Sequence, residues 1–131
     1  MAAENDNTNN AWFVYDGHGV VEDQSVVRVR VDQSVTSIPN NAFRNCTALR
    51  EIIIPDSVTS IGDDAFYNCH SLESIDLRNS SVKSIGERAF RNCSSLTEIQ
   101  LPTSVTSIGH GAFDHCHSMK SSVLPDSICH H

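Results

Sequence analysis

An α/β solenoid is the fold class this sequence predicts, with short strands stacked in a parallel ladder and a short helix or helical turn in each coil. Three observations carry that prediction. The phrase V-T/K-S-I occurs at Val35–Ile38, Val58–Ile61, Val82–Ile85 and Val105–Ile108, at offsets of 23, 24 and 23 residues. Ala-Phe follows each phrase, at 42/43, 65/66, 89/90 and 112/113. A cysteine and then a leucine or methionine keep the same order, at Cys46/Leu49, Cys69/Leu72, Cys93/Leu96 and Cys116/Met119. A period of about 20–29 residues is the mark of compact solenoid coils, each too small to bury its own apolar surfaces and each sealed by its neighbours.

The elements of a coil follow in order. Leu49, Ile52 and Ile54 form an inward row that Leu72, Ile75 and Leu77 repeat, and then Leu96, Ile99 and Leu101. The alternation of Ile52 and Ile54 suits a short strand, and equivalent strands stack in parallel about 4.8 Å apart. The stretch Gly62–Asn68 suits a short helix or helical turn, with Ala65 and Phe66 anchored inward. It is too short to be stable as an isolated helix. Phe43, Phe66, Phe90 and Phe113 form a packing column, and the Val and Ile of V-T/K-S-I form another stacked row. Pro55, Pro102 and Pro125 punctuate turns after the strand-like segments. Gly62, Gly86 and Gly109 mark the next turn, where Pro39 stands in the first unit, so a left-handed glycine is not required there. The extra residue of the third unit falls near Ser80–Ser81, in a polar turn.

The ends differ from the middle. Residues 1–11 are polar with little to bury and predict a flexible segment. Residues 12–34 predict an atypical capping coil, with Trp12 over the first apolar layer. Within it, "SVVRVRV" alternates as a strand, with Arg28 and Arg30 on the face opposite Val27, Val29 and Val31. The regular repeats run over 35–125, and 126–131 reads as a frayed or truncated end. Ser122 stands where Ile52, Ile75 and Ile99 place an apolar residue.

Composition narrows the function classes. At 131 residues the chain suits one domain with a modest core. Its 39% hydrophobic and 19% charged content reads as soluble and globular. A formal net charge of -7, with scattered basic residues, argues against general nucleic-acid binding. The start, "MAAENDNTNN", lacks the basic flank and apolar stretch of a secretory signal, and no apolar run is long enough for membrane insertion. A cytoplasmic location is favoured, or an extracellular one if the chain is a fragment. The five cysteines are Cys46, Cys69, Cys93, Cys116 and Cys129. A disulfide framework is one reading. The odd count and the regular spacing of four of them favour reduced, buried thiols that pack as small hydrophobes.

The combined V-T-S-I, A-F, N-C and S-L phrases, as in "VTSIGDDAFYNCHSLESIDL", resemble the leucine-rich repeat family of the bacterial-surface-antigen (BspA-like) type. The likeness covers roughly residues 35–125 and begins more weakly near Val26. It implies an α/β leucine-rich-repeat solenoid, curved, with short parallel strands on the concave face and short helices or turns on the convex side. It also implies protein or surface interaction, and it carries over no catalytic residue. His115 in the fourth N-C phrase, Met119 and Ser122 depart from the pattern.

The strand pattern places Glu51 and Ile53, Ser74 and Asp76, Glu98 and Gln100, then Ser121 and Val123, on the exposed concave face. Arg50, Glu73, Thr97 and Lys120 border it. Glu51, Asp76 and Glu98 give the centre an acidic bias that suits a basic peptide or protein, although charge of this kind also serves plain solubility. The expected function is a non-enzymatic protein-interaction or scaffold module using that face. The alternative is a purely structural repeat fragment of a larger surface or adhesin-like protein, and end-to-end association is open to either.

Catalytic and metal readings are weaker. Asp63 and Asp64 sit beside a helical turn as solvated or helix-starting residues, and His18 lies in a "DGHG" turn. No phosphate-loop or dinucleotide fingerprint is present, so no catalytic residue and no cofactor are assigned. His110, His115, Cys116, His117, Cys129, His130 and His131 are rich in zinc donors. Cys116 belongs to the buried column and the last two histidines are terminal, so no metal site is assigned. Asn45-Cys46-Thr47, Asn79-Ser80-Ser81 and Asn92-Cys93-Ser94 satisfy the glycosylation pattern, but two of them repeat the structural Asn-Cys phrase.

Overall fold

The computed structural model describes residues 12–77 and 79–120. The expected flexible segment 1–11 and the frayed end 126–131 lie outside the described residues. So do Ser121, Ser122, Val123, Pro125, Cys129, His130 and His131.

After β1, which joins one sheet alone, each coil contributes one short strand to each of two sheets. The strands are β1 (Phe13–Tyr15), β2 (Arg28–Val31), β3 (Ser37–Ile38), β4 (Glu51–Ile53), β5 (Ser60–Ile61), β6 (Ser74–Asp76), β7 (Ser84–Ile85), β8 (Glu98–Gln100) and β9 (Ser107–Ile108). One sheet runs β1-β2-β4-β6-β8 and the other β3-β5-β7-β9. All pairings are parallel, as they must be when the chain passes each position in the same direction once per coil. Ile52 pairs with Ile75 and Ile75 with Ile99, so the 23- or 24-residue offset of the sequence is the register of the sheet.

The expected α/β class with short convex-side helices is overturned. Among the described residues there is no helix, and the molecule is an all-parallel β-solenoid. The reason lies in backbone conformation. Asn41 (φ 66), Asn45 (φ 64), Asp64 (φ 57), Asn68 (φ 64), Arg88 (φ 54), Asn92 (φ 65) and His115 (φ 62) are left-handed. A helix cannot propagate through such residues, and Asn and Asp tolerate the conformation better than most. The hydrogen bonds follow suit. Ala42, Arg44 and Cys46 donate their amides three residues back, to Pro39, Asn41 and Phe43. Between them, the amides of Asn41, Phe43 and Asn45 leave the coil and donate to the carbonyls of Asp63, Ala65 and Tyr67, at 3.0, 2.7 and 2.7 Å. Half of the donors a helix would use internally are therefore spent on the next coil.

The core lies between the sheets and this turn segment. Phe43, Phe66 and Phe90 are fully buried, as are Leu49, Leu72 and Leu96. The rings of Phe43, Phe66, Phe90 and Phe113 form one nearly parallel stack, with centroids 5.2, 5.1 and 5.4 Å apart. Tyr15 covers the first ring at 4.9 Å, tilted by 60°, and donates its hydroxyl to the Gly19 carbonyl at 2.6 Å. The expected cap, Trp12, is instead half-buried beside Arg28.

Polar columns lock the coils at their edges. The Asn92 side-chain amide donates to Asn68 Oδ1 at 2.8 Å, and that of Asn68 donates to Asn45 Oδ1 at 2.9 Å. Asn40 Oδ1 accepts the Asp63 amide and Asp63 Oδ1 the Glu87 amide, both at 2.8 Å. Gly86 is required here for space alone, because a Cβ would lie 2.4 Å from Asp63 Oδ1 and 2.6 Å from the Asp63 nitrogen.

Candidate functional site

Strand alternation decides what the five-stranded sheet shows to solvent. Val29, Ile52, Ile75 and Ile99 point inward and are buried. The residues on either side of each point outward. Register then aligns them across the strands into two rows. One row holds Arg28, Glu51, Ser74 and Glu98, and the other holds Arg30, Ile53, Asp76 and Gln100. All six residues expected at a partner-binding face, Glu51, Ile53, Ser74, Asp76, Glu98 and Gln100, thus stand on one outward surface. Ile53, Ser74, Asp76 and Glu98 are exposed, and Glu51 and Gln100 are half-buried. Ser74, Asp76, Glu98 and Gln100 line a shallow open depression.

Arg28 and Arg30 belong to the same surface, which reading by repeat units missed. The initial coil lacks Ala-Phe and N-C phrases, so its strand could not be aligned with β4 by motif. The signal available was the 23-residue step from Val29 to Ile52 within two alternating strands. Arg28 Nε lies 3.2 Å from Glu51 Oε1, and its guanidinium sits 5.0 Å from the Trp12 ring centroid. Glu51 is therefore neutralised locally by Arg28. Along the border, Arg50 Nη2 lies 3.0 Å from Glu73 Oε2. Ile53 is 45% exposed, one of two large apolar side chains so exposed among the described residues.

The residues weighed for chemistry take structural parts. Asp64 pairs with Arg88, with Oδ1 at 3.0 Å from Nε, and Asp63 serves its ladder. His18 sits in a turn where its amide donates to Asp16 Oδ1 at 3.1 Å. Cys46, Cys69 and Cys93 are free and buried, while Cys116 is free and half-buried. The thiols of Cys69, Cys93 and Cys116 donate to the carbonyls of Phe43, Phe66 and Phe90, at 3.2, 3.2 and 3.1 Å. Burial pushes the Cys46 and Cys116 thiols up to about 11 and raises those of Cys69 and Cys93 as well. Such thiols are poor nucleophiles and poor metal ligands at neutral pH. Among the described residues, no group of three His, Cys, Asp or Glu side chains is placed to hold a metal ion. No helix among them is long and apolar enough to cross a membrane.

These features define a repeat solenoid with one continuous, mixed-charge sheet face, the kind of extended surface on which repeat proteins bind partners. The family model for the BspA type leucine rich repeat region, in 6 copies, matches residues 20–130, and the chain belongs to that family. Solved structures agree. A leucine-rich repeat protein from Bacteroides ovatus is 36% identical over 88% of this chain and 34% of its own, with a TM-score of 0.74. The T. pallidum leucine rich repeat protein is 37% identical over 82% of this chain and 49% of its own, with a TM-score of 0.71. A leucine rich cell surface protein from Faecalibacterium prausnitzii is 31% identical over 77% of this chain and 36% of its own, with a TM-score of 0.57. The chain thus spans between 34% and 49% of the length of these relatives. No curated protein matches it.

Proposed function

We propose that this chain is a non-enzymatic interaction module that binds a protein or peptide on the outward face of its five-stranded sheet. The observation that carries this reading is the pairing register. It aligns Ile53, Asp76, Glu98 and Gln100 on adjacent strands of one rigid surface. Rigid strands hold side chains in place at little entropic cost, which favours recognition by several weak contacts at once. Asp76 and Glu98 favour a partner with basic side chains at that end. Family membership supports a binding role over catalysis, as does the structural employment of Asp63, Asp64 and the buried cysteines.

A purely structural coil stack is the second reading. The Arg28–Glu51 and Arg50–Glu73 pairs favour it, since they spend part of the face's charge internally. For location, the description of the Faecalibacterium relative as a cell surface protein supports the exterior. Affinity capture separates the two functional readings. The binding reading expects a saturable partner that is lost when Asp76→Lys and Glu98→Lys are combined in a chain whose circular dichroism is unchanged. Equal capture by both chains, or no saturable partner, contradicts it.

A further inference from the structure

The fold treats the three glycosylation triplets differently. Asn45 and Asn92 are half-buried members of the asparagine ladder. Asn45 Oδ1 accepts from Asn68 at 2.9 Å. The Asn92 carboxamide nitrogen, the atom a sugar would take, donates to Asn68 Oδ1 at 2.8 Å. Both backbones are left-handed, at φ 64 and φ 65, and their amides donate to the carbonyls of Tyr67 and Asp114 in the next coil. The middle residues, Cys46 and Cys93, are fully buried. A transferase cannot draw either triplet into its own cleft without pulling a cysteine out of the core.

Asn79-Ser80-Ser81 lies in the turn from β6 to β7, which joins the two sheets. Leu77 and Val82 bound this turn, as Ile54 and Val58 or Leu101 and Val105 bound its neighbours, so it holds one residue more than they do. The extra residue changes the hydrogen bonding. In the neighbouring turns Ser57 and Ser104 donate their hydroxyls one coil back, to the carbonyls of Val35 and Val82, at 2.7 and 2.6 Å. Ser81 occupies the same place before its valine, yet among the described residues its hydroxyl makes no such bond. Ser80 instead folds back on its own turn and donates to the Leu77 carbonyl at 2.8 Å. Asn79 itself is exposed and stands outside the ladder. An accessible carboxamide is thus followed two residues later by an uncommitted hydroxyl, the two groups by which an acceptor triplet is read.

We propose that Asn79 is a glycosylation site of the folded chain and that Asn45 and Asn92 are withheld from that chemistry. The co-substrate is a sugar activated on a nucleoside diphosphate or a lipid pyrophosphate, delivered by an asparagine-directed transferase. The Asn79 carboxamide nitrogen bonds to the anomeric carbon as the bond from that carbon to the phosphate oxygen breaks. The phosphate group leaves with the electron pair, and the amide proton passes to a base of the transferase. A glycan on this turn enters no core and breaks no strand pair, and surface turns tolerate such bulk. This site is independent of the binding role proposed above.

The test uses the folded full chain, UDP-glucose and a soluble asparagine-directed glucosyltransferase that labels a peptide spanning residues 76–84. Peptide mapping by mass spectrometry should find one hexose per chain, on Asn79. Asn79→Gln and Ser81→Ala should each abolish labelling while circular dichroism is unchanged. Synthetic peptides spanning residues 43–49 and 90–96 should accept the sugar, because the fold alone withholds Asn45 and Asn92. Peptides that refuse it would overturn that structural reason. A hexose on Asn45 or Asn92 of the folded chain, or none on Asn79, overturns the proposal.

Discussion

The rings of Phe66 and Phe90 lie 5.1 Å apart and within 4° of parallel, although 24 residues separate them in the chain. Each ring is fully buried only because the other coil is present. Replacing Phe66 with Ala opens a cavity between two neighbours that the hydrogen-bonded turn cannot close. The expected cost is about 3–5 kcal/mol. For a small domain that is a large share of total stability. Urea unfolding followed by circular dichroism measures it, and Phe66→Leu should cost clearly less.

Asn68 holds two roles that substitution can separate. It is left-handed at φ 64, and its side chain both donates to Asn45 and accepts from Asn92. Asn68→Gly keeps the backbone and loses the ladder, at about 1–2 kcal/mol. Asn68→Ala loses both and should cost about 1 kcal/mol more. The same unfolding experiment resolves the order, and an alanine variant as stable as the glycine one would show that the left-handed turn is not under this constraint.

Gly86→Ala forces a methyl group against the Asp63 backbone. No side chain can swing aside to relieve it, so the two coils must separate locally. The expected loss is about 3 kcal/mol. The site is specific, because alanine at Gly19, where a Cβ meets nothing within 4 Å, should be milder despite its positive φ.

The thiols give a dependence on pH. Their ionisation is raised by burial from the usual 9.0 to about 11 for Cys46 and Cys116. Below pH 9 both folded and unfolded chains keep these protons, and stability is unaffected. Above it the unfolded chain loses protons first, so stability falls between about pH 9 and pH 11. At pH 8, site-resolved alkylation should leave Cys46, Cys69 and Cys93 unmodified in the native chain, with half-buried Cys116 reacting first of these four. Rapid native labelling of Cys69 would contradict the buried column.

What could be read from sequence was what recurred. The Phe, Cys and Leu columns were legible because a buried position tolerates little variation from coil to coil. The strands β3, β5, β7 and β9 were not, since two residues are too few to show alternation, and V-T-S-I registered only as an apolar row. The helix expectation failed for a reason the sequence also contained. Asn or Asp recurs at positions 41, 45, 64, 68 and 92, where left-handed turns interrupt any helical run. Arg28 and Arg30 were placed opposite the valines of their own strand, but their row with Glu51 and Ile53 emerged only from pairing between coils.

The measurement that tests the coil stack most directly is a set of through-space proton contacts in solution. Stacked coils predict contacts from Ile52 to Ile75 and from Ile75 to Ile99, and between successive rings of Phe43, Phe66, Phe90 and Phe113. A continuous series of helical contacts through residues 62–68, with the phenylalanine rings isolated from one another, would contradict it.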